Sequence, residues 1–165
     1  MQHNKKPFGA LFFGGAMKIA FFKGNTFIGK AIRLWTRSQY SHTEILLYDY
    51  QDGTYDCLSA DYIDGVRIKR LSISPDEWDI VDIDFPISKV HEWYSRNYGK
   101  GYDYLGLLGF VISPLKQTKS RWFCSEIPAD ILGFKLSSRI SPSLLDSILT
   151  SDLFNDLQRS NKNIK

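Results

Sequence analysis

Two side chains, a thiol and an imidazole, stand out as able to carry chemistry. Cys124 lies in Arg121-Trp122-Phe123-Cys124-Ser125-Glu126, where a loop enters a helical pattern. His42 lies in Tyr40-Ser41-His42-Thr43-Glu44-Ile45, at the start of a strand pattern. A thiol at a helix start feels the partial positive charge of unpaired backbone N–H groups, which favours the thiolate. An adjacent imidazole favours it further and can then protonate a leaving group. The same N–H groups could bind an oxyanion. Nucleophilic attack on a carbonyl is the chemistry such a pair would do. Packing is the alternative for both residues. A free cysteine beside two aromatics serves well as a small core hydrophobe, and a histidine at a strand edge can be merely hydrogen-bonded. His3 falls in a doubtful N-terminal stretch and His91 on the exposed face of an expected helix, so neither is a candidate.

The surrounding pattern predicts the elements that must position the pair. Residues 17–22 read as a first strand and 27–36 as a helix, with apolar residues at Phe27, Ile28, Ala31, Ile32 and Trp35. Residues 41–48 and 54–60 read as strands joined by an Asp- and Gly-rich hairpin turn. After the Asp64-Gly65 turn, 66–71 and 78–83 read as two more strands. Helices are expected at 88–98, at 102–112 before Pro114, and at 124–132 with Gly133 as the stop. Ser141-Pro142 opens a last helix. Strands cluster first and helices later, which indicates an α+β fold. Residues 1–16 read as an N-terminal extension, 17–157 as one domain and 158–165 as a polar tail.

Composition narrows the function classes. A chain of 165 residues with 43% apolar and 24% charged residues suits a single core. Aromatics at 15% are high and would fill a core or line a groove. The net charge of +3 comes from scattered basic residues, without the dense basic face of a nucleic-acid binder. No run of about 20 apolar residues implies a spanning helix. Two cysteines make no disulfide framework, and Cys57 with Cys124 lacks the C-x-x-C spacing of a redox pair. Three scattered histidines and two cysteines without zinc spacing imply no metal and no cofactor. With no credible signal peptide, a cytoplasmic protein is expected, and an envelope substrate would then need another route of delivery.

Taken in order, Tyr40-Ser41-His42-Thr43-Glu44, then Gly65-Val66-Arg67, then Gly101-Tyr102-Asp103-Tyr104, then Phe123-Cys124-Ser125-Glu126 form a set. This set resembles the circularly permuted branch of the NlpC/P60 (papain-like) superfamily, in particular its small YiiX-like amidases and peptidases, including phage-encoded ones. The resemblance runs from about Met17 to Leu149. It implies a papain-like antiparallel sheet packed against helices, with Cys124 as nucleophile and His42 as general base and acid. Members cleave amide bonds in cell-wall peptides, or transfer or release acyl groups on lipids.

The family places a polar residue on the strand after the histidine, where it would fix the imidazole tautomer. Ser59 falls closest to that place. Asp61 shares its face if the strand continues, and Glu44 shares the face of His42. Any of the three could orient His42, and either carboxylate would raise its basicity. Tyr40 and Trp122 could line a substrate cleft, or pack. Glu126 reads as structural. The function expected is a cysteine hydrolase acting on a peptide or acyl amide, with peptidoglycan as the preferred source. Lipid acyltransferase or esterase chemistry, and an inactive binding module, are the alternatives.

Overall fold

Alternation of apolar and polar side chains builds most of this molecule. A computed structural model describes residues 16–24, 33–34, 38–61, 63–102, 121–135 and 140–162. Five strands form one antiparallel sheet: β1 (Ala16–Phe22), β2 (His42–Asp49), β3 (Thr54–Asp61), β4 (Gly65–Ser72) and β5 (Trp78–Pro86). Their spatial order is β4-β3-β2-β1-β5. In β1 the odd positions Met17, Ile19 and Phe21 are fully buried together, as the two-residue period of a strand requires. They join Ile45, Leu58, Ala60, Val66 and Ile83 in the main core.

After β5 the described residues include the helices α1 (Ile87–Asn97), α2 (Glu126–Ile131), α3 (Pro142–Leu149) and α4 (Asp152–Lys162). Helix α1 buries Val90, Trp93 and Asn97, a helical stripe. With Ile127, Ala129, Leu145 and Leu149 from α2 and α3, Val90 and Trp93 complete the main core. A second, smaller cluster holds Ala20, Leu46, Cys57, Ile73 and Trp78. In β2, Leu46 pairs with Cys57 but Tyr48 with Asp56, so Leu47 is an extra residue. Leu46 belongs to the smaller cluster and Leu47 to the main core.

The turn into β4 depends on Gly65. Its φ is +65°, and an added Cβ would sit 2.2 Å from the Lys100 carbonyl oxygen. That carbonyl accepts the Val66 N–H at 2.8 Å, and Val66 in turn accepts the Gly99 N–H at 3.1 Å. The chain after α1 thus lies against the start of the edge strand, using backbone groups that would otherwise stay unpaired.

Some expected elements differ. Tyr102, expected to open a helix, lies with Gly101 in a two-residue strand, β6, parallel to β7 (Arg121–Trp122). The rest of that expected helix, most of the one expected over 27–36, and the N-terminal extension up to residue 15 lie outside the described residues. The single last helix is two helices, α3 and α4. Helix α4 continues past residue 158, through the start of the expected tail. Among the described residues no helix is long and apolar enough to cross a membrane.

Candidate active site

Cys124 sits on a turn rather than in a helix. The sequence predicts a helix from residue 124, but α2 begins at Glu126 and spans six residues. A reciprocal closure shapes the turn that leads into α2. The Phe123 N–H donates to Glu126 Oε2 at 3.0 Å, and the Glu126 N–H donates to the Phe123 carbonyl at 3.1 Å. Cys124 and Ser125 are enclosed between these bonds. The Glu126 N–H is therefore taken, and the helix start offers fewer donors to an oxyanion than expected. Ser125 is fully buried and donates to the Ile140 carbonyl at 2.5 Å, fixing the turn to the segment that leads into α3. Cys124 itself is 1% exposed.

The β2 strand brings His42 to this cysteine. Its Nε2 lies 2.8 Å from Glu44 Oε1, and Cys124 stands close enough to the imidazole to raise its pKa. The His42 side chain is 24% exposed, so the pair is open on the imidazole side. Burial alone would lower the His42 pKa. The charge and hydrogen bond of Cys124, then those of Glu44, outweigh burial and push it up to about 10.

Glu44 is fully buried, and an isolated carboxylate there would be costly. Arg67 resolves this. Its Nη1 donates to Oε2 at 2.8 Å and its Nη2 to Oε1 at 2.7 Å, a two-point fork. Burial alone would raise the Glu44 pKa, but the Arg67 and His42 contacts hold it below the usual carboxylate range. Arg67 Nε also donates to Asp61 Oδ2 at 3.0 Å. Asp61 further accepts the Ile63 and Asp64 N–H groups at 3.0 and 2.8 Å. Burial opposes its ionisation, yet these bonds keep its pKa lowered.

Strand pairing explains how these residues meet. Ser59 pairs with Arg67, and one step along from the Ile45–Leu58 pair Glu44 falls beside Ser59. Arg67 must cross β3 to reach β2, and the residue it crosses is a serine. The Ser59 hydroxyl turns back to donate to the Thr43 carbonyl at 2.6 Å. Of the three residues that could orient His42, Glu44 contacts the imidazole. Asp61 stands one link further, behind Arg67, and Ser59 bonds to backbone. Arg67 was not a candidate from sequence; its position pairing with Ser59 was the signal, and it needed strand registers to be read.

The two residues considered for a substrate cleft are placed in packing. Tyr40 is 4% exposed; its hydroxyl donates to Asp79 Oδ2 at 2.8 Å and its ring lies 5.2 Å from that of Phe21. Trp122 meets Trp93 edge-on at 4.9 Å and packs on the main core. Its indole N–H is buried and has no hydrogen-bond partner among the described residues. The segment before His42 is also anchored: the Ser38 and Ser143 hydroxyls are 2.8 Å apart, and the Gln39 N–H donates to Ser143 Oγ at 2.9 Å. Cys57 is fully buried, and burial pushes its thiol pKa up. Both cysteines are free. Among the described residues no three His, Cys, Asp or Glu side chains are grouped so as to hold a metal.

No family model and no curated protein matches the chain. Among solved structures, it is similar to the crystal structure of the metalloprotein yiiX from Escherichia coli O157:H7. The two share 22% identity with a TM-score of 0.52, over 76% of this chain and 68% of that one. The chain thus has a YiiX-like α+β fold, built on a five-stranded antiparallel sheet.

Proposed function

We propose that this protein is a cysteine hydrolase that cleaves an amide bond through Cys124 and His42, with a cell-wall peptide as the preferred substrate class. The observation that supports this most is the contact series from Cys124 to His42 to Glu44. The Cys124 thiolate, paired with the protonated His42, attacks the substrate carbonyl. The C–N bond then breaks, and His42 protonates the departing amine, leaving a thioester on Cys124. Water enters, gives a proton to His42 and adds its oxygen to the acyl carbon. The thioester opens, the acid leaves, and the thiolate on Cys124 again stands beside the protonated His42. Glu44 holds the imidazole in orientation and stabilises its protonated form.

The structural neighbour is described as a metalloprotein. In this chain both oxygens of Glu44 are engaged by Arg67 and His42, and Asp61 is paired with the same guanidinium. That donor set does not suit a metal ion, and the proposed reaction is carried by protein groups.

Alkylation of Cys124 by iodoacetamide, in a Cys57→Ser background, tests the pair. We expect Cys124 to react at neutral pH and His42→Ala to slow it by about ten-fold or more. An unchanged rate in His42→Ala would return Cys124 to a packing role. Release of new amine from cell-wall peptides, lost in Cys124→Ser, then tests the substrate class; thioester formation with lipid acyl groups instead would move the assignment to acyl transfer.

A further inference from the structure

We propose that Arg67 is a positioning residue: acting through Glu44, it sets both the orientation and the charge of the group that holds the His42 imidazole. This rests on the reading of Cys124 and His42 as the reacting pair.

Glu44 has one side chain and two tasks. Its Oε1 must meet His42 Nε2, and the carboxylate must stay ionised although no water reaches it. A single contact to His42 leaves the carboxylate plane free to rotate about its terminal torsion. The guanidinium fork removes that freedom, because two parallel bonds at 2.8 and 2.7 Å fix the plane. The fork is itself fixed. Arg67 is 8% exposed, and its Nε is tied to Asp61, which two backbone N–H groups hold in place. Orientation is thus passed from the β3–β4 turn to the imidazole through bonds between side chains. Charge follows the same route, alternating from Asp61 to Arg67 to Glu44 to His42.

The charged and titratable groups around Glu44 and Arg67 come from several elements. They are His42 on β2, Cys57 and Asp61 on β3, and Cys124 on the turn before α2. Lys69 on β4 reaches Asp61 at 3.7 Å and Asp64 in the turn at 3.5 Å. Both contacts are exposed on the lysine side and are the weaker members of the set. Arg67 is the cation that touches both oxygens of Glu44.

Removing it has a definite sign. With a cation gone, Glu44 takes up a proton at higher pH. Once protonated, Glu44 no longer stabilises the imidazolium, so the reactivity of Cys124 fails at higher pH as well. Two quantities are measured in the Cys57→Ser protein: the side-chain carboxyl titration of Glu44 by carbon NMR, and the acidic limb of Cys124 alkylation by iodoacetamide. In Arg67→Met both are expected to move upward together by about one pH unit or more. Arg67→Lys keeps the cation and gives up the fork. Its acidic limb is expected near the parent's, with a plateau rate several-fold lower, on the order of that for a loosened catalytic group.

A folded Arg67→Met protein whose alkylation limb stays where it was overturns the assignment, even if the protein melts earlier. Should Arg67→Met fail to fold, Arg67→Lys decides: a plateau rate equal to the parent's overturns it. If His42→Ala leaves alkylation unchanged, the hydrolase reading fails and this one with it. If His42→Ala slows alkylation while both Arg67 variants match the parent, only the role of Arg67 fails.

Discussion

His42 Nε2 and Glu44 Oε1 stand 2.8 Å apart although both belong to one strand, two residues from each other. The two residues meet through β2 itself, while Arg67 from β4 fixes the plane of the carboxylate. Together with the larger influence of Cys124 on the imidazole, the contact ties stability to pH. The His42 pKa is raised from 6.5 to about 10, so its stabilisation is complete below pH 6.5 and is lost as pH rises through 10. The Glu44 pKa is lowered from 4.5, so its stabilisation is present above that value and is lost as pH falls. The cluster contributes most between pH 4.5 and 6.5. Urea midpoints measured across pH should fall on the alkaline side in the parent, and His42→Asn should flatten that slope. An equal slope in the variant would show that the imidazole is not its source.

Ser59 provides a steric test of the same cluster. It is 1% exposed and lies under the path by which Arg67 reaches Glu44. Ser59→Ala keeps the path open and loses the bond to the Thr43 carbonyl, costing about 1 kcal/mol. Ser59→Leu fills the path and strains the packing, costing roughly 1–3 kcal/mol. Cys124 alkylation should largely survive in Ser59→Ala and collapse in Ser59→Leu. A collapse in Ser59→Ala as deep as in His42→Ala would instead put the hydroxyl among the reacting groups.

The two indoles facing each other at 4.9 Å should respond in opposite ways. Trp93 Nε1 donates to Asp130 Oδ2 at 2.7 Å, so Trp93→Phe forfeits a charge-assisted bond and about 1–2 kcal/mol. Trp122→Phe keeps an aromatic ring at the contact and deletes a buried donor that has no partner among the described residues, so stability should hold or rise by up to about 1 kcal/mol. Thermal melts of both variants check this. A clear loss in Trp122→Phe would mean that its N–H has a partner in solution.

Much of the sheet is legible in the amino-acid sequence because one period governs it. Met17, Ile19 and Phe21 announce β1, and the two-residue step from His42 to Glu44 announces a shared face. The member of Glu44, Ser59 and Asp61 that reaches the imidazole is not legible in the same way. That depends on how β2, β3 and β4 slide against one another, and the extra residue at Leu47 shifts the register. Arg67 was passed over for the same reason: its partners lie on two other strands. Local signals did exist for two helix boundaries. Pro128 lacks an N–H and suits the first turn of a helix opening at Glu126. Ser151 accepts the Phe154 N–H at 3.3 Å, a cap that separates α4 from α3.

The short segment from Ile140 to Ser143 touches both halves of the site. Ser125, beside Cys124, donates to the Ile140 carbonyl, and Ser38, ahead of the histidine strand, meets the Ser143 hydroxyl. Cys124, His42, Glu44 and Arg67 all precede this segment in the chain. On the ribosome, Cys124, His42, Glu44 and Arg67 are all made before the piece that braces them to each other. The order of synthesis therefore keeps the nascent chain short of its braced site until these last ties can form.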